Sequence, residues 1–246
     1  SNQAIAAAKL NGKVNFITKI GNDKNGEMAL NLYKSLGMDI ASIIQDKNHS
    51  TGVAGIMVNE KTGDNAINII PGAAGTLTND DIEKNLNFIA NTDIFLTQLE
   101  TPYDVTKYAL KKAKENKLTT ILNPAPACQI NDDDFKLIDF FTPNETEAEF
   151  YLNKKIETEK DIKIASEEFL KKGIKNIVIT LGEKGCYFAN DKENFFMNAF
   201  KLKEPVVDTT GAGDAFNGAL AVGLSKDLDI KEVLTFANKV GAISTT

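Results

Sequence analysis

The chain contains no arginine and no tryptophan, and only one histidine. Its 28 basic residues are all lysines, set against 34 acidic residues for a formal net charge of −6. A nucleic-acid-binding protein presents a basic patch, commonly with arginine. Here the lysines stand among Glu and Asp, as in KKAKENK and ETEKDIKIASEEFLKK, which is the pattern of solvated helix faces. No nucleic-acid partner is expected. Any phosphate bound by this chain must be met by backbone dipoles, a few lysines or a metal ion. The lone His49 lies in a polar loop beside Ser50 and reads as a surface residue. Cys128 and Cys186 are far apart, with no metal-ligand spacing; they read as reduced, structural cysteines of a cytoplasmic protein. No apolar run approaches the ~20 residues of a membrane span. The opening SNQAIAAAKLNGKVNF carries lysines and no long apolar core, so neither a signal peptide nor a membrane partner is expected.

What is present is ordinary globular composition. The 246 residues are 42% hydrophobic and 25% charged, enough for one large domain or one with a small appendage. Strand-like runs alternate with helical patterns. Strands are expected at 14–21 and 94–100, in 119–127 as a strand and turn, in 136–152 as a strand followed by a loop and a helix start, and across 176–189 as two strands about a Gly turn. Helices are expected at 26–37, 104–117, 161–173, 214–226 and 233–243. This alternation predicts βαβ units and a doubly wound, mostly parallel α/β sheet with helices on both faces. Residues 40–72 break the rhythm with three short β-like runs, and EKTGDN reads as a hairpin loop between two of them. The division expected is an α/β domain over 1–39 and 73–246, with a small β lid over 40–72. The sequence opens on an Ala-rich helical segment and closes on GAISTT, just after a helix. An α/β sheet rarely starts that way, so the segment is expected to be the middle of a longer protein.

The chemistry concentrates in VVDTTGAGDAF, residues 206–216. Val206 and Val207 are expected to end a strand, and Thr209 and Thr210 to make a turn. Gly211 and Gly213 let the backbone approach a ligand, and a helix opens near Asp214. Helix N-termini bind anions, yet this one carries a carboxylate. Asp214 as a simple N-cap is worth ~1 kcal/mol, which explains the Asp but not the two glycines. Phosphoryl transfer to an alcohol explains both. It needs an anion hole for the developing phosphate charge and, within a few ångströms, a base for the attacking hydroxyl. A Walker A lysine is absent, and Phe216 stands at the third glycine of a dinucleotide fingerprint.

DTTGAGDAFNGAL, together with QLETP (98–102), NPAPA (123–127), TPNETEAE (142–149) and TLGEKG (180–185) in that order, resembles the ribokinase (PfkB) family of carbohydrate kinases. The opening residues resemble the segment just after that family's N-terminal double-glycine motif. The resemblance covers essentially the whole chain. It implies Asp214 as catalytic base, with Gly211, Ala212 and Gly213 as the anion hole. Asn2 and Glu100 would bind the sugar, with Asp214 beside them. Asn144, Thr180, Gly182, Gly185, Gly213 and Asn238 would line the nucleotide site. Asn144 and Glu147 would organise Mg²⁺, largely through water, although N-x-x-E is equally a helix-capping pair. Asp208, the Thr210 carbonyl and Ser244 would hold a monovalent cation, K⁺. The resemblance further implies ATP as phosphoryl donor, D-ribose as acceptor and D-ribose 5-phosphate as product, and the lid-like segment suggests a homodimer formed through the β lid. Fructose, 2-deoxyribose or a nucleoside remain alternative acceptors. From other classes, a non-catalytic ligand sensor of the same fold and an α/β oxidoreductase also stand open. The family's sugar-binding Asp, glycines and Lys that precede Asn2 fall outside this sequence.

Overall fold

The computed structural model describes residues 1–58 and 65–246. In chain order the elements are α1 (Asn2–Lys9), β1 (Thr18–Gly21), α2 (Lys24–Ser35), β2 (Ile43–Asp46), β3 (Thr51–Val58), β4 (Asn65–Gly72), α3 (Asn79–Glu83), α4 (Leu86–Ala90) and β5 (Ile94–Thr97). Next come α5 (Tyr103–Glu115), β6 (Thr119–Leu122), β7 (Phe140–Phe141), α6 (Glu145–Leu152), α7 (Glu159–Lys171), β8 (Asn176–Thr180), β9 (Cys186–Asn190), β10 (Asn194–Met197), α8 (Ala212–Leu224) and α9 (Ile230–Ile243).

Six strands form the main sheet in the order β10-β9-β8-β7-β6-β5. Strands β5 to β8 run parallel, while β9 and β10 return antiparallel. Adjacent residues of the central strands face opposite ways. Leu122, Phe141, Ile177, Ile179 and Tyr187 pack with Ile162, Ala165 and Phe169 of α7. Ile121, Phe140, Val178, Cys186 and Phe188 pack with Phe216, Ala219, Leu220, Val233 and Leu234 of α8 and α9. Burial on both faces is why these strands read as continuous apolar runs rather than alternating ones. Each such aliphatic side chain contributes roughly 1.5–3 kcal/mol. The expected doubly wound α/β architecture is therefore the observed one.

Several boundaries differ from those expected. The strand at 14–21 is ordered as a strand only over Thr18–Gly21, because that is the length over which β2 pairs with it; Asn15 makes an isolated bridge to Asp39. Strand 94–100 ends at Thr97, and Gln98, Leu99 and Glu100 leave the sheet toward the site. Val206 and Val207 lie in no strand. Among the described residues no strand pairs with them; Val207 N–H instead donates to the Thr245 carbonyl, and β-branching alone does not make a strand. The strands of 40–72 pair in two separate ribbons. Of the three runs in 40–72, β2 pairs in parallel with β1, and only β3 and β4 form the antiparallel hairpin. Of the loop expected at EKTGDN, residues 60–64 fall outside the described residues, and Asn65 begins β4. The β3–β4 ribbon is tied down at its base, where Asp23 accepts from Thr51 N and Oγ1, both at 2.7 Å, while capping α2 through Gly26 N.

At the opposite end of the sheet, Asp139 leads into β7. It takes Lys114 Nζ of α5 at 2.7 Å, Lys175 Nζ at 2.7 Å and Thr120 N of β6 at 3.0 Å. Desolvation opposes its ionisation, but the hydrogen bonds from Lys114 and Lys175 prevail and hold its carboxyl below the ordinary carboxylate range. A carboxyl so depressed stabilises the fold above its unfolded-state pKa, and that contribution is lost as pH falls through the folded value. Asp139→Asn is expected to cost roughly 2 kcal/mol, lowering the melting temperature by about 4–8 °C near neutral pH. In melts across pH, the gap to wild type should persist at about pH 5 and close only below the ordinary range near 3.9. Equal melting temperatures at neutral pH would contradict this account.

Candidate active site

Helix α8 begins with Gly211 as its N-cap, at φ 79°, in the left-handed region that favours glycine. Asp214 is therefore not the cap but a residue of the first turn. The N–H of Ala212 is spent on the Thr209 carbonyl at 3.2 Å. Those of Gly211, Gly213 and Asp214 find no acceptor among the described residues. The unspent N–H groups at this helix start are thus those of Gly211, Gly213 and Asp214, whereas the resemblance implies Ala212 in the place of Asp214. A Cβ on Gly213 would meet nothing within 4 Å, so packing does not require glycine there and the turn is open on that side. Unspent N–H groups at the start of a 13-residue helix make an anion site.

The Asp214 carboxylate is fixed from two directions. Asn2 Nδ2, on the first turn of α1, donates to Oδ2 at 2.9 Å. Gln98 Nε2, just past β5, donates to Oδ1 at 3.0 Å. Helix α1 reaches this position because it packs closely on α8 at Gly218, where a Cβ would lie 2.8 Å from both Ala6 Cβ and Gln3 O. Glu100 stands nearby on the rim. Desolvation, and then the Asp214 charge, raise its carboxyl above the ordinary range. Asn2, Glu100, Asp214 and the glycine turn are thus brought together at the C-terminal edge of the parallel strands, where open α/β sheets bind ligands.

A second group lies two and three strands over from β5, at the ends of β7 and β8. Asn144 caps α6, accepting from Glu147 N at 2.8 Å, while its own N–H donates to Glu147 Oε2 at 2.9 Å. The capping reading of N-x-x-E is therefore realised. It leaves a second Glu147 oxygen for a ligand, and burial pushes that carboxyl up to about 7. Thr180 forms an isolated bridge with Asn144. Gly182 opens on space, whereas a Cβ on Gly185 would lie 2.0 Å from Met197 O; close backbone packing already accounts for that glycine. Asn238 is buried on α9, and its Nδ2 faces Cys186 Sγ at 3.5 Å. Asp208 accepts from Thr210 N at 2.8 Å, and the Asp208 N–H donates to Thr245 O at 3.2 Å, so this loop runs beside Ser244.

The family model described as "pfkB family carbohydrate kinase" matches residues 1–246. This chain belongs to that family. It is a phosphotransferase-type chain, acting on a sugar hydroxyl. It is 38% identical to a ribokinase of Staphylococcus aureus (strain COL), over 99% of this chain and 80% of that protein. A bifunctional ribokinase/ribose-5-phosphate isomerase A of Fructilactobacillus sanfranciscensis is also 38% identical over 99% of the chain, which spans 45% of that longer protein. Among solved structures, Arabidopsis thaliana ribokinase complexed with ribose and ATP superposes with a TM-score of 0.88 at 28% identity, covering 99% of this chain and 79% of that one.

The kinase site also contains polar residues to which the sequence motifs assign no role. Gln98, Asn123, Thr142 and Asn217 stand inside QLETP, NPAPA, TPNETEAE and DTTGAGDAFNGAL, and Gln3 lies in the opening segment beside Asn2. The available signal was position: Gln98, Asn123 and Thr142 all come directly after the ends of neighbouring parallel strands. All of Gln3, Asn123, Thr142 and Asn217 are buried, and each has hydrogen-bond partners among the described residues.

Proposed function

We propose that this chain forms the phosphoryl-transfer core of an ATP-dependent D-ribose kinase, making D-ribose 5-phosphate and ADP. The observation that carries the reading is a carboxylate, Asp214, fixed beside unspent N–H groups at the first turn of α8. Asp214 takes the proton of the sugar's 5-hydroxyl. The oxygen attacks the γ-phosphorus, the bond from that phosphorus to the β,γ-bridging oxygen breaks, and ADP departs. The N–H groups of Gly211, Gly213 and Asp214 meet the charge on the transferring oxygens. A base at this point does not repel the phosphate, because its charge is directed at the nucleophile. Asn2 and Glu100 offer an amide and a carboxylate to the remaining sugar hydroxyls.

Asn144, Thr180, Gly182, Gly185, Gly213 and Asn238 are assigned to the nucleotide side. The oxygen donors of Asn144 and Glu147 suit a hydrated Mg²⁺, which when bound neutralises phosphate charge. Asp208, the Thr210 carbonyl and Ser244 are assigned to K⁺, since the 208 loop and the end of α9 run side by side. Unpaired Cys128 and Cys186 and the use of ATP favour a cytoplasmic location. No helix among the described residues is long and apolar enough to cross a membrane.

The β3–β4 hairpin exposes Val53, Ile56, Met57, Ile69 and Ile70. By register, Val53 pairs with Ile70 and Ala54 with Ile69, so both faces of this two-stranded ribbon carry apolar residues. Such a ribbon is marginal alone. We assign one face to the sugar and the other to a second copy of this chain, giving a homodimer.

ADP release by the full-length protein should require D-ribose with Mg-ATP and K⁺, and Asp214→Asn should reduce it by about 10³-fold or more. Turnover with fructose, 2-deoxyribose or adenosine in place of ribose would move the acceptor; full activity in Asp214→Asn would refute the mechanism. Replacing K⁺ by choline should lower the rate. Light scattering after size exclusion should give a dimer that Met57→Lys converts to monomer; a monomeric wild type at micromolar concentration would refute the lid interface.

A further inference from the structure

We propose that Gln98 is the positioning residue of the base, and that its orientation is dictated by a backbone carbonyl at the end of β7. The inference rests on Asp214 acting as that base. The Thr142 carbonyl can only accept, so Asn123 must turn its Nδ2 to it, at 2.9 Å. Asn123 Oδ1 then faces the other way, where it receives Gln3 Nε2 at 3.0 Å and lies 3.5 Å from Gln98 Nε2. Gln98 must therefore present its amino group, and the same nitrogen reaches Asp214 Oδ1 at 3.0 Å. With the Gln98 amide reversed, its oxygen would confront two acceptors, Asn123 Oδ1 and Asp214 Oδ1. The network has one consistent orientation, and burial of Gln3, Asn123 and Thr142 shuts out the solvent that could satisfy another.

The consequence is a division of labour between the carboxylate oxygens. Oδ1 is pinned on the interior side by Gln98. Oδ2, on the exposed side with Asn2, is the oxygen left to face a sugar hydroxyl. Thr142 also governs the anion side. Its Oγ1 donates to Asn217 Oδ1 at 2.7 Å, and Asn217 Nδ2 donates to the Gly213 carbonyl at 2.8 Å. One residue at the β7 end thus sets the base through its carbonyl and the first turn of α8 through its hydroxyl. Preorganisation of this kind acts on the chemical step rather than on substrate affinity.

The test is steady-state kinetics of the full-length protein with D-ribose and Mg-ATP, alongside melting temperatures. Gln98→Met keeps the volume and removes the donor. It should lower kcat about tenfold or more, with both KM values held within about twofold and the fold intact. Gln98→Glu keeps the shape, sets a carboxylate against Asp214 Oδ1 and should lower kcat further; it carries the test if the Met variant does not fold. Adding Asn123→Ser to Gln98→Met should cost no further kcat, since Asn123 acts through Gln98. A Gln98→Met kcat within about twofold of wild type, a loss confined to KM, or additive losses in the double variant would overturn the proposal. Asp214→Asn is run in parallel: if it keeps full turnover, the base assignment itself has failed, whatever Gln98 does.

Discussion

The first turn of α8 must keep its N–H groups unspent and a carboxylate among them in one orientation, and much of the molecule is arranged around that requirement. A free helix start would normally be capped by its own side chains. Here the cap is Gly211, which has none to offer, and the first-turn Asp214 is held away from the backbone by Asn2 and Gln98. The apolar body of α8 makes this possible. Ala215, Phe216, Ala219, Leu220 and Val222 are buried, so the helix is seated on the sheet by its length and its polar end does not have to contribute to its stability.

The sheet supplies the other half of the constraint. Parallel strands present their C-terminal ends on one edge, and each of β5, β6, β7 and β8 delivers a polar residue there: Gln98, Asn123, Thr142 with Asn144, and Thr180. Neutral amides and hydroxyls do the connecting work. A buried charge in their place would carry a desolvation cost, whereas these groups satisfy one another and the backbone. The charges lie at the two ends of the sheet. Asp139 with Lys114 and Lys175 fixes the strand starts, and Asp214 with Glu100 marks the strand ends. In a chain without arginine, the unspent backbone N–H groups at the start of α8 are the donors this edge offers an anion, where guanidinium groups often serve.

Much of this was legible in the sequence because it rests on local rules. Long apolar runs such as NIVIT mark strands buried on both faces, and the glycines after Thr209-Thr210 mark the tight start of the small-residue helix α8. N-x-x-E announced the capping box that Asn144 and Glu147 form. What was not legible depends on partners distant in sequence. Gln98 and Asp214 are 116 residues apart, and Gln3 and Asn123 are 120 apart; nothing in a glutamine states which way its amide must face. The same limit explains the misplaced boundaries. Val206 and Val207 have strand composition but no neighbouring edge among the described residues, and β2 has the pattern of a lid strand but finds its partner in β1. Ala212 illustrates a finer case: it sits in the motif, yet its N–H closes the turn rather than the cradle.

The most direct measurement is a crystal structure of the full-length protein with D-ribose, ADP, Mg²⁺ and aluminium fluoride, which mimics the transferring phosphoryl group. The account predicts the fluoroaluminate against the N–H groups of Gly211, Gly213 and Asp214. It predicts the sugar's 5-hydroxyl on Asp214 Oδ2, with Oδ1 still held by Gln98. A fluoroaluminate seated away from the α8 start, or an Asp214 turned away from the sugar, would contradict it.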